Sequence, residues 1–398
     1  MISSLLRPEV QAFIREHEND DEKKLVLQHR EILGMPAPVI AEQIIGRRKA
    51  KTKIPLYYIT AGIIYPPGIN LEQSSSEETA VFKANSLHAI TGEGKTLADL
   101  TGGFGIDSLF LSRAFEKVYY IEPNAPLLSA VQHNHEILQA KNIDYRNTTA
   151  AEFLTAFPEK LDCIFIDPSR RTKSNQKVFK LSDCEPDVPV LLSAIFQKTN
   201  CLLVKTAPLL DIQQGIRELK NVEKVWVVSV KNDCKELLFF CRKDFVGEPT
   251  VTAINLQTDE VELEFRLSEE KESVSEFSEP LTYLYEPNAS ILKAGAFKLV
   301  GDRFSVLKIH PSTHLYTSHD LIQNFPGRIF KLIKPVKAEP KNIKSVFAEG
   351  KANVITRNYP TSPEGLKKKT KLKDGGDLYL IGFNGQNEKY LVAAKRIK

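Results

Sequence analysis

The sequence has few cysteines and no long uncharged stretch, and both absences exclude classes of protein. Its five cysteines are an odd number and include no C-x-x-C pair, which argues against a disulfide framework and against a zinc ribbon. No segment reaches the roughly 18 consecutive apolar residues that a membrane span requires, and charges occur throughout the first 30 residues. We therefore expect reduced thiols, no membrane partner and a cytoplasmic protein.

Charge is unevenly distributed along the 398 residues. The formal net charge is only +4, yet the segment from Pro326 to Lys398 has 17 Lys and Arg against 6 Asp and Glu. This local excess of +11 leaves −7 for the rest of the chain. A basic segment of this kind favours a polyanionic partner, with a solvated lysine-rich surface as the alternative.

The pattern of apolar residues divides the chain into four parts. With 42% hydrophobic residues, a chain of this length can bury two or three cores. Residues 1–75 have the periodicity of short helices, and residues 76–245 alternate apolar runs with amphipathic segments. Residues 246–324 mix helix and strand signals, and residues 325–398 contain short strands rich in lysine. We predict a helical N-terminal domain, an α/β domain and two small α+β domains.

Apolar runs in residues 76–245 predict a mostly parallel sheet. Five of them, TLADL, VYYIE, NIDYR, LDCIFID and CLLVK, are separated by segments long enough for crossover helices. Two more, VEKVWVVSV and ELLFFCR, are joined only by KNDCK, which is too short for a crossover helix. The expected sheet therefore has five parallel strands and ends in an antiparallel hairpin.

Three glycines follow the first of these runs, in the stretch DLTGGFGID. Gly102, Gly103 and Gly105 would leave the backbone bare beside a helix N-terminus, where free N–H groups can meet a polar ligand. A dinucleotide fingerprint needs a further glycine three residues after Gly105, and Ser108 stands there. The alternative is a tight turn between strand and helix that binds nothing.

Acidic residues near these glycines favour a ligand that carries a cation. Asp99 precedes them at the strand end, where a carboxylate suits an amino group and suits a pyrophosphate poorly. This favours S-adenosylmethionine over NAD. Glu122 ends the second run, where a carboxylate can accept both hydroxyls of a ribose, a role that the two cofactors share.

The fourth run ends in Asp167, Pro168, Ser169 and Arg170. Ligands of open α/β sheets bind at this carboxyl edge. Because proline has no N–H, the pair Asp167-Pro168 presents only acceptors, a carboxylate and carbonyl groups. Such acceptors can hold an amine by its hydrogens while its lone pair faces an electrophilic methyl group. The alternative is a strand terminator that caps the next turn.

These motifs together resemble class I S-adenosylmethionine-dependent methyltransferases over roughly residues 77–242. DLTGGFG is similar to their motif I, IEPN to their ribose acid and DPSR to their catalytic motif. The resemblance implies a Rossmann-like α/β fold with a seven-stranded methyltransferase sheet. It also implies S-adenosylmethionine as cofactor, with a binding set of Asp99, Thr101, Gly102, Gly103, Gly105, Asp107, Glu122 and Asp167.

DPSR is similar to the D/N-P-P-Y/F group of enzymes that methylate nucleobase amines, such as RNA guanine-N2 methyltransferases. The resemblance implies catalytic roles for Asp167, Pro168, Ser169 and Arg170. The motif departs from that group twice, because Ser169 replaces the second proline and Arg170 replaces the aromatic residue that stacks on the base. A guanidinium group at Arg170 can stack on a base or bind a phosphate.

The C-terminal stretch KANVITRNYPTSPEGLKKKTKLKDGGDLYL resembles the THUMP-like domain of bacterial, Bacteroidetes-type methyltransferases. The segment before it resembles their small ferredoxin-like domain. THUMP domains bind RNA, so the resemblance implies a structured RNA substrate, tRNA or rRNA. A lysine cluster would neutralise its phosphates, namely Lys367, Lys368, Lys369, Lys371 and Lys373. Lys205, which ends the fifth run, is a further candidate for substrate contact, with a solvated lysine as the alternative.

Other functions fit the residues less well than an RNA base N-methyltransferase. Carbon-5 methylation needs a cysteine nucleophile near the active edge, and only Cys184 is a candidate there. The histidines of HPSTHLYTSH have no helical register, so we expect no metal. Two alternatives stay open: a noncatalytic RNA-binding or assembly protein that keeps a cofactor pocket, and an NAD-dependent oxidoreductase, which Ser108 and the hairpin disfavour.

Overall fold

The computed structural model describes residues 2–92, 94–170 and 180–398. It separates into two compact units, the first formed by Met1–Glu223 with Leu238–Val246 and the second by Lys224–Leu237 with Gly247–Lys398. The division of the chain into four domains at residues 75, 245 and 324 remains a prediction.

The first unit begins with short helices, as the sequence predicts. A small hairpin that the sequence did not predict interrupts them. The elements are α1 (Ile2–Leu5), α2 (Pro8–Glu16), α3 (Glu22–Gln28), β1 (Glu31–Ile32), β2 (Met35–Pro36), α4 (Ala37–Lys53), α5 (Pro55–Ile59), α6 (Gly68–Gln73) and α7 (Glu77–Thr91). Apolar residues from several of these elements form one buried cluster, which includes Val10, Ile14, Ile40 and Ile44. Burial of these side chains holds the short helices together.

The parallel strands of the first unit carry the carboxyl edge on which the predicted site depends. Its strands are β3 (Thr96–Asp99), β4 (Lys117–Ile121), β5 (Ile143–Arg146), β6 (Cys163–Ile166), β7 (Ser169–Arg170), β8 (Cys184–Glu185) and β9 (Cys201–Thr206). The helices between and after them are α8 (Ile106–Leu111), α9 (Ala125–Ile137), α10 (Ala150–Ala156), α11 (Val188–Lys198) and α12 (Ile212–Leu219). Strand β3 pairs in parallel with both β4 and β6, and β6 pairs in parallel with β9.

The sheet confirms the predicted architecture and extends it. The hairpin strands are β10 (Val222–Val230) and β11 (Asp233–Arg242), followed by β12 (Thr250–Leu256) and β13 (Leu263–Arg266). The strand order is β13-β12-β10-β11-β9-β6-β3-β4-β5. Five parallel strands and a hairpin are therefore present, and β12 and β13 bring the sheet to nine strands instead of seven. The chain runs outward from β3 to β5 and then returns to β6, so the topological switch point lies between β3 and β6.

The second unit contains a separate seven-stranded sheet of order β15-β16-β14-β17-β20-β19-β18. Its remaining elements are α13 (Leu267–Glu272), β14 (Tyr283–Pro287), α14 (Ala289–Ala294), α15 (Leu299–Phe304), β15 (Leu307–His310), β16 (Thr313–Ser318), β17 (Gly327–Pro335), α16 (Pro340–Lys344), β18 (Asn353–Arg357), α17 (Pro363–Thr370), β19 (Leu378–Asn384) and β20 (Lys389–Arg396). Neighbouring residues of a strand point to opposite faces, so Leu380 and Ile381 belong to different buried clusters.

Helix α13 corrects one expectation, because the acidic stretch from Asp259 to Pro280 by itself predicts a strand followed by a solvated linker or loop. The helix has six residues and buries none of them, so it has no apolar periodicity to read. Contacts distant in sequence position it instead. The carboxylate of Glu270 accepts hydrogen bonds from the backbone N–H groups of Lys298 and Leu299 (both 2.9 Å), where α15 begins.

Candidate active site

The switch point of the first unit brings together residues from four parallel strands. The glycines follow β3, Glu122 follows β4, Asp167 follows β6, and Lys205 is the penultimate residue of β9. Because the carboxyl ends of parallel strands share one edge, these residues lie on the same side of the sheet.

The three glycines of the loop have different structural reasons to be glycine. A Cβ on Gly102 would lie 2.2 Å from the ring of Tyr120, and one on Gly105 would lie 2.5 Å from Val131. Gly103 has a φ of +54°, and a Cβ there would meet nothing closer than the Thr101 carbonyl oxygen at 3.6 Å. Internal packing therefore accounts for Gly102 and Gly105, and only Gly103 leaves a bare backbone facing open space.

Glu122 lies directly beside that open backbone. Its carboxylate accepts hydrogen bonds from the N–H of Gly103 (3.0 Å) and from the N–H of Asn124 (2.8 Å). Burial raises the pKa of Glu122, and these two backbone hydrogen bonds oppose the rise. The sequence predicted an acid at this strand end, and the structure attaches it to the tip of the glycine loop.

Asp99 is buried below the loop, with only 1% of its surface exposed. One carboxylate oxygen accepts from the backbone N–H of Thr101 (3.0 Å), and the other accepts from the hydroxyl of Ser108 (2.5 Å). Burial raises the pKa of Asp99 to about 7, although both hydrogen bonds act in the opposite direction. In the sequence, Ser108 occupies the position where a dinucleotide fingerprint would have its third glycine. In the structure, its hydroxyl is a hydrogen-bond partner of Asp99.

Asp107 belongs to a buried network that sequence reasoning missed. The fully buried ammonium group of Lys83 lies 3.2 Å from the carboxylate of Asp107 and donates to the hydroxyl of Ser75 (3.1 Å). Ser75 in turn donates to Asp107 (2.7 Å). The sequence holds a signal for Lys83, because it occupies the same helix face as Ala80, Ala84 and Leu87, which are buried. A lysine on an apolar helix face needs a buried anion.

Two aromatic residues near the N-terminus pack against the loop, and sequence reasoning missed them as well. Phe104, between the loop glycines, is 3% exposed. Its ring meets the ring of Tyr57 edge-on at 5.3 Å and lies 6.5 Å from the ring of Tyr65. Such contacts add to the burial of apolar surface, so residues outside the predicted α/β domain help to fix the loop.

The structure brings Asp167 and Lys205 together, although the sequence placed them in separate roles. The Lys205 ammonium group makes a short hydrogen-bonded ion pair with the Asp167 carboxylate. The backbone N–H of Asp167 donates to the hydroxyl of Thr101 (2.6 Å), which ties the DPSR motif to the glycine loop. Burial raises the pKa of Asp167, and the charge of Lys205 opposes that rise.

The rest of the DPSR motif leads away from the sheet. Pro168 is buried, Ser169 is exposed, and Ser169 and Arg170 form β7, which pairs with Glu185 and Cys184 of β8. The side chain of Arg170 lies outside the described part of the chain, as do residues 171–179. The predicted stacking or phosphate contact of Arg170 therefore remains a prediction.

The predicted lysine cluster lies in the second unit, at the end of α17 and just beyond it. Lys368, Lys369, Lys371 and Lys373 are exposed. Lys367 is partly buried and pairs with Asp374 at 2.7 Å. Four of the five predicted ammonium groups therefore face solvent.

Metal clusters and membrane helices are both absent from residues 2–92, 94–170 and 180–398. No group of three or more His, Cys, Asp and Glu side chains in those ranges could hold a metal ion. Among the same residues no helix combines the length and the apolar character that crossing a membrane demands.

Comparison with known proteins shows that the whole chain is similar to a solved structure. A crystal structure of a candidate methyltransferase from Porphyromonas gingivalis W83 is 29% identical, covers 100% of this chain and 99% of its own, and superposes with a TM-score of 0.84. Family models match a ferredoxin-like domain at residues 283–326 and a THUMP-like domain at residues 327–396. The chain is thus similar over its whole length to a candidate methyltransferase, and residues 327–396 match a THUMP-like domain, as the sequence resemblance implies.

Other relatives match only part of this chain. An uncharacterised RNA methyltransferase of Mycoplasma mobile is 22% identical over 132 residues, which is 33% of this chain and 36% of that protein. A candidate methyltransferase of Streptococcus mutans, crystallised with S-adenosylhomocysteine, is 14% identical with a TM-score of 0.31, over 40% of this chain and 95% of its own. S-adenosylhomocysteine is the demethylated form of S-adenosylmethionine, the cofactor that the sequence resemblance implies for this chain.

Proposed function

We propose that this protein transfers the methyl group of S-adenosylmethionine to a nucleobase amine in structured RNA, with guanine N2 as the target type. The observation that carries the proposal is the position of Asp167 and Pro168. They lie at the switch point, next to the glycine loop, and are tied to it by the 2.6 Å hydrogen bond between the N–H of Asp167 and Thr101. Methyl donor and acceptor amine would therefore meet at one edge of the sheet.

The residues around the glycine loop fit the cofactor. Its ribose hydroxyls would be accepted by Glu122, beside the open backbone of Gly103, and its ammonium group would lie near the buried acid Asp99. Thr101, Gly102, Gly105 and Asp107 shape the loop and the start of α8 through the contacts described above. When bound, the cofactor supplies a methyl group that its sulfonium charge already activates.

Transfer to an amine then needs orientation more than acid–base chemistry. One oxygen of Asp167 is engaged by Lys205, and its second oxygen has no hydrogen-bond partner among the described residues. This second oxygen and the carbonyl of Pro168 would accept the two amine hydrogens and turn the nitrogen lone pair towards the methyl group. Orientation of this kind supplies about 7–11 kcal/mol of a barrier in favourable systems.

RNA is the acceptor that the rest of the chain favours. The match to a THUMP-like domain covers residues 327–396, which lie in the segment with a charge excess of +11. The curated relative from Mycoplasma mobile is described as an RNA methyltransferase. A basic domain binds the phosphate backbone without regard to sequence, so the base specificity would come from the site in the first unit.

A transfer assay with Asp167→Ala tests the proposal. The substrate is total RNA from cells in which the gene has been deleted, the donor is tritiated S-adenosylmethionine, and the product is identified by nucleoside mass spectrometry. We expect transfer to fall at least about 100-fold, because an acceptor that orients the amine is lost. Affinity for RNA should change little. Glu159→Ala, which alters an exposed carboxylate, is the matched control and should behave as the wild type.

Two results would overturn the proposal. If Asp167→Ala retained wild-type transfer, Asp167 would not orient the acceptor. If the wild-type protein bound RNA but transferred no methyl group, it would be a noncatalytic RNA-binding protein and not an enzyme. The two departures of DPSR from the D/N-P-P-Y/F motif favour that alternative. Calorimetric titration with S-adenosylhomocysteine and, separately, with NADH tests the cofactor, since only the first should bind.

A further inference from the structure

Asp167 and Lys205 are direct neighbours across two parallel strands. Strands β6 and β9 pair with Ile166 opposite Val204, so the following residues, Asp167 and Lys205, are opposite each other at the carboxyl edge. Residues opposite each other in a sheet point to the same face. Their contact is therefore set by the strand register and not by a chance approach of two flexible side chains.

The pair is largely closed to solvent. Only 10% of the Lys205 side chain is exposed, against 28% of the Asp167 side chain. An exposed ion pair contributes little to the free energy of unfolding because water screens it. When one partner of a buried pair is removed, the other charge stays buried without compensation, which is strongly destabilising. Lys205 is therefore positioned to orient the Asp167 carboxylate and to compensate its charge, and less to contact a ligand in solvent.

Other charged groups surround the same carboxylate. Asp107 of α8 raises the pKa of Asp167, and Lys83 of α7 lowers it, both less than Lys205 does. Asp99 of β3 interacts with Asp167 as well. Three carboxylates and two ammonium groups therefore share this edge. Lys205 is the cation in direct contact with the acid that the proposed function assigns to the acceptor amine.

We propose that Lys205 is a positioning residue of the methyl-transfer site, whose ammonium group fixes the orientation and the charge of the Asp167 carboxylate. One oxygen of that carboxylate is held by Lys205, and the other is left to accept a hydrogen of the amine. The role of Lys205 in methyl transfer rests on the proposed function, whereas its contact with Asp167 does not. It differs from the sequence expectation, in which Lys205 contacts the substrate itself.

The first test needs no RNA. Urea unfolding of the full chain is measured at pH 5 and pH 8 for the wild type, Lys205→Met, Asp167→Asn and the double variant. In Lys205→Met the carboxylate has lost its cation, so the folded-state pKa of Asp167 lies further above the unfolded value of about 3.9. The destabilisation should therefore grow as pH rises from 5 to 8. In the double variant, which has no carboxylate, that growth should vanish. A destabilisation that is the same at both pH values would overturn the inference.

The second test measures transfer to the total RNA of the deletion strain. For Lys205→Met we expect kcat to fall about 10- to 100-fold with KM for RNA changed less than about threefold, as for removal of a positioning residue. The acid limb of the pH profile should move to higher pH, because Asp167 protonates more readily. Lys205→Arg keeps the cation and should keep the acid limb in place. Lys95→Met alters an exposed lysine before β3, at the opposite edge, and should leave transfer unchanged.

The outcomes separate this inference from the proposed function. If KM rose with kcat unchanged and the salt dependence of RNA binding weakened, Lys205 would contact phosphate and the positioning role would be wrong. Equal pH profiles for Lys205→Met and the wild type would also overturn it. If the wild type transferred no methyl group while the unfolding experiment gave the expected pH dependence, the proposed function would fail and the coupling of Lys205 to Asp167 would stand.

Discussion

Asp99 shows how burial turns an ordinary carboxylate into a group that responds near neutral pH. It is surrounded by the Ser108 hydroxyl and the Thr101 N–H, and burial raises its pKa to about 7. When burial raises the pKa of an acid, the folded protein tolerates the protonated form better than the charged form. The free energy of unfolding therefore falls as pH rises through the folded-state pKa. An ammonium group placed beside it would reverse that preference, because it favours the carboxylate.

The affinity for S-adenosylhomocysteine should therefore depend on pH through the ionisation of Asp99. Only the ionised form of Asp99 attracts the ligand ammonium group, and with a pKa of about 7 the ionised fraction rises about tenfold from pH 6 to pH 8. We expect a comparable gain in affinity and release of a proton on binding. Calorimetry in two buffers of different ionisation enthalpy measures that release. Asp99→Asn is the control, and proton release that persisted in it would assign the titration to another group.

At the scale of the element, the glycine loop combines two requirements that substitution can separate. Gly102→Ala would place a Cβ 2.2 Å from the ring of Tyr120, which is fully buried. Overpacking of this kind costs about 1–3 kcal/mol of the free energy of unfolding. Gly103→Ala meets open space at a φ of +54°, so its stability cost should be about 1–2 kcal/mol from the backbone alone.

The two variants should therefore differ in which property they lose. For Gly103→Ala we expect a marked loss of affinity for S-adenosylhomocysteine, because the new methyl group occupies the ligand side of the loop. Urea unfolding and calorimetry on both variants check this. Gly295→Ala, at a φ of +79° with no neighbour within 4 Å, controls for backbone strain away from the site. Wild-type affinity in Gly103→Ala would mean that the cofactor does not cross this loop.

Elements with a strong local pattern were predictable, and those fixed by distant contacts were not. The apolar runs predicted all five parallel strands, and the short KNDCK connection predicted the hairpin of β10 and β11. The helix α13 has no buried residue, so its sequence carries no periodicity. The same contrast holds in the site. Asp99, Glu122 and Asp167 follow recognisable runs, whereas the pairing of Lys83 with Asp107 joins residues whose contact depends on the packing of α7 against α8.

At the scale of the whole molecule, charge and chemistry are assigned to different parts of the chain. The segment from Pro326 to Lys398 has an excess of +11, while the rest of the chain has −7. The titratable groups of the candidate site all belong to the first unit, and the exposed lysines around α17 belong to the second. If the second unit supplies affinity for RNA and the first supplies the reaction, changes in one should leave the other's ligand unaffected.

Reversing two exposed charges tests this separation. Lys368→Glu with Lys369→Glu changes the last turn of α17, and we expect weaker RNA binding, a higher KM for RNA and unchanged affinity for S-adenosylhomocysteine. The logarithm of the RNA affinity should also fall less steeply with the logarithm of salt concentration, by about 0.7–0.9 for each phosphate that the protein no longer neutralises. Lys23→Glu with Lys24→Glu, an adjacent exposed pair in α3, makes the same change in net charge. If both double variants weakened RNA binding equally, net charge would explain the effect and the THUMP-like domain would not be the RNA-binding surface.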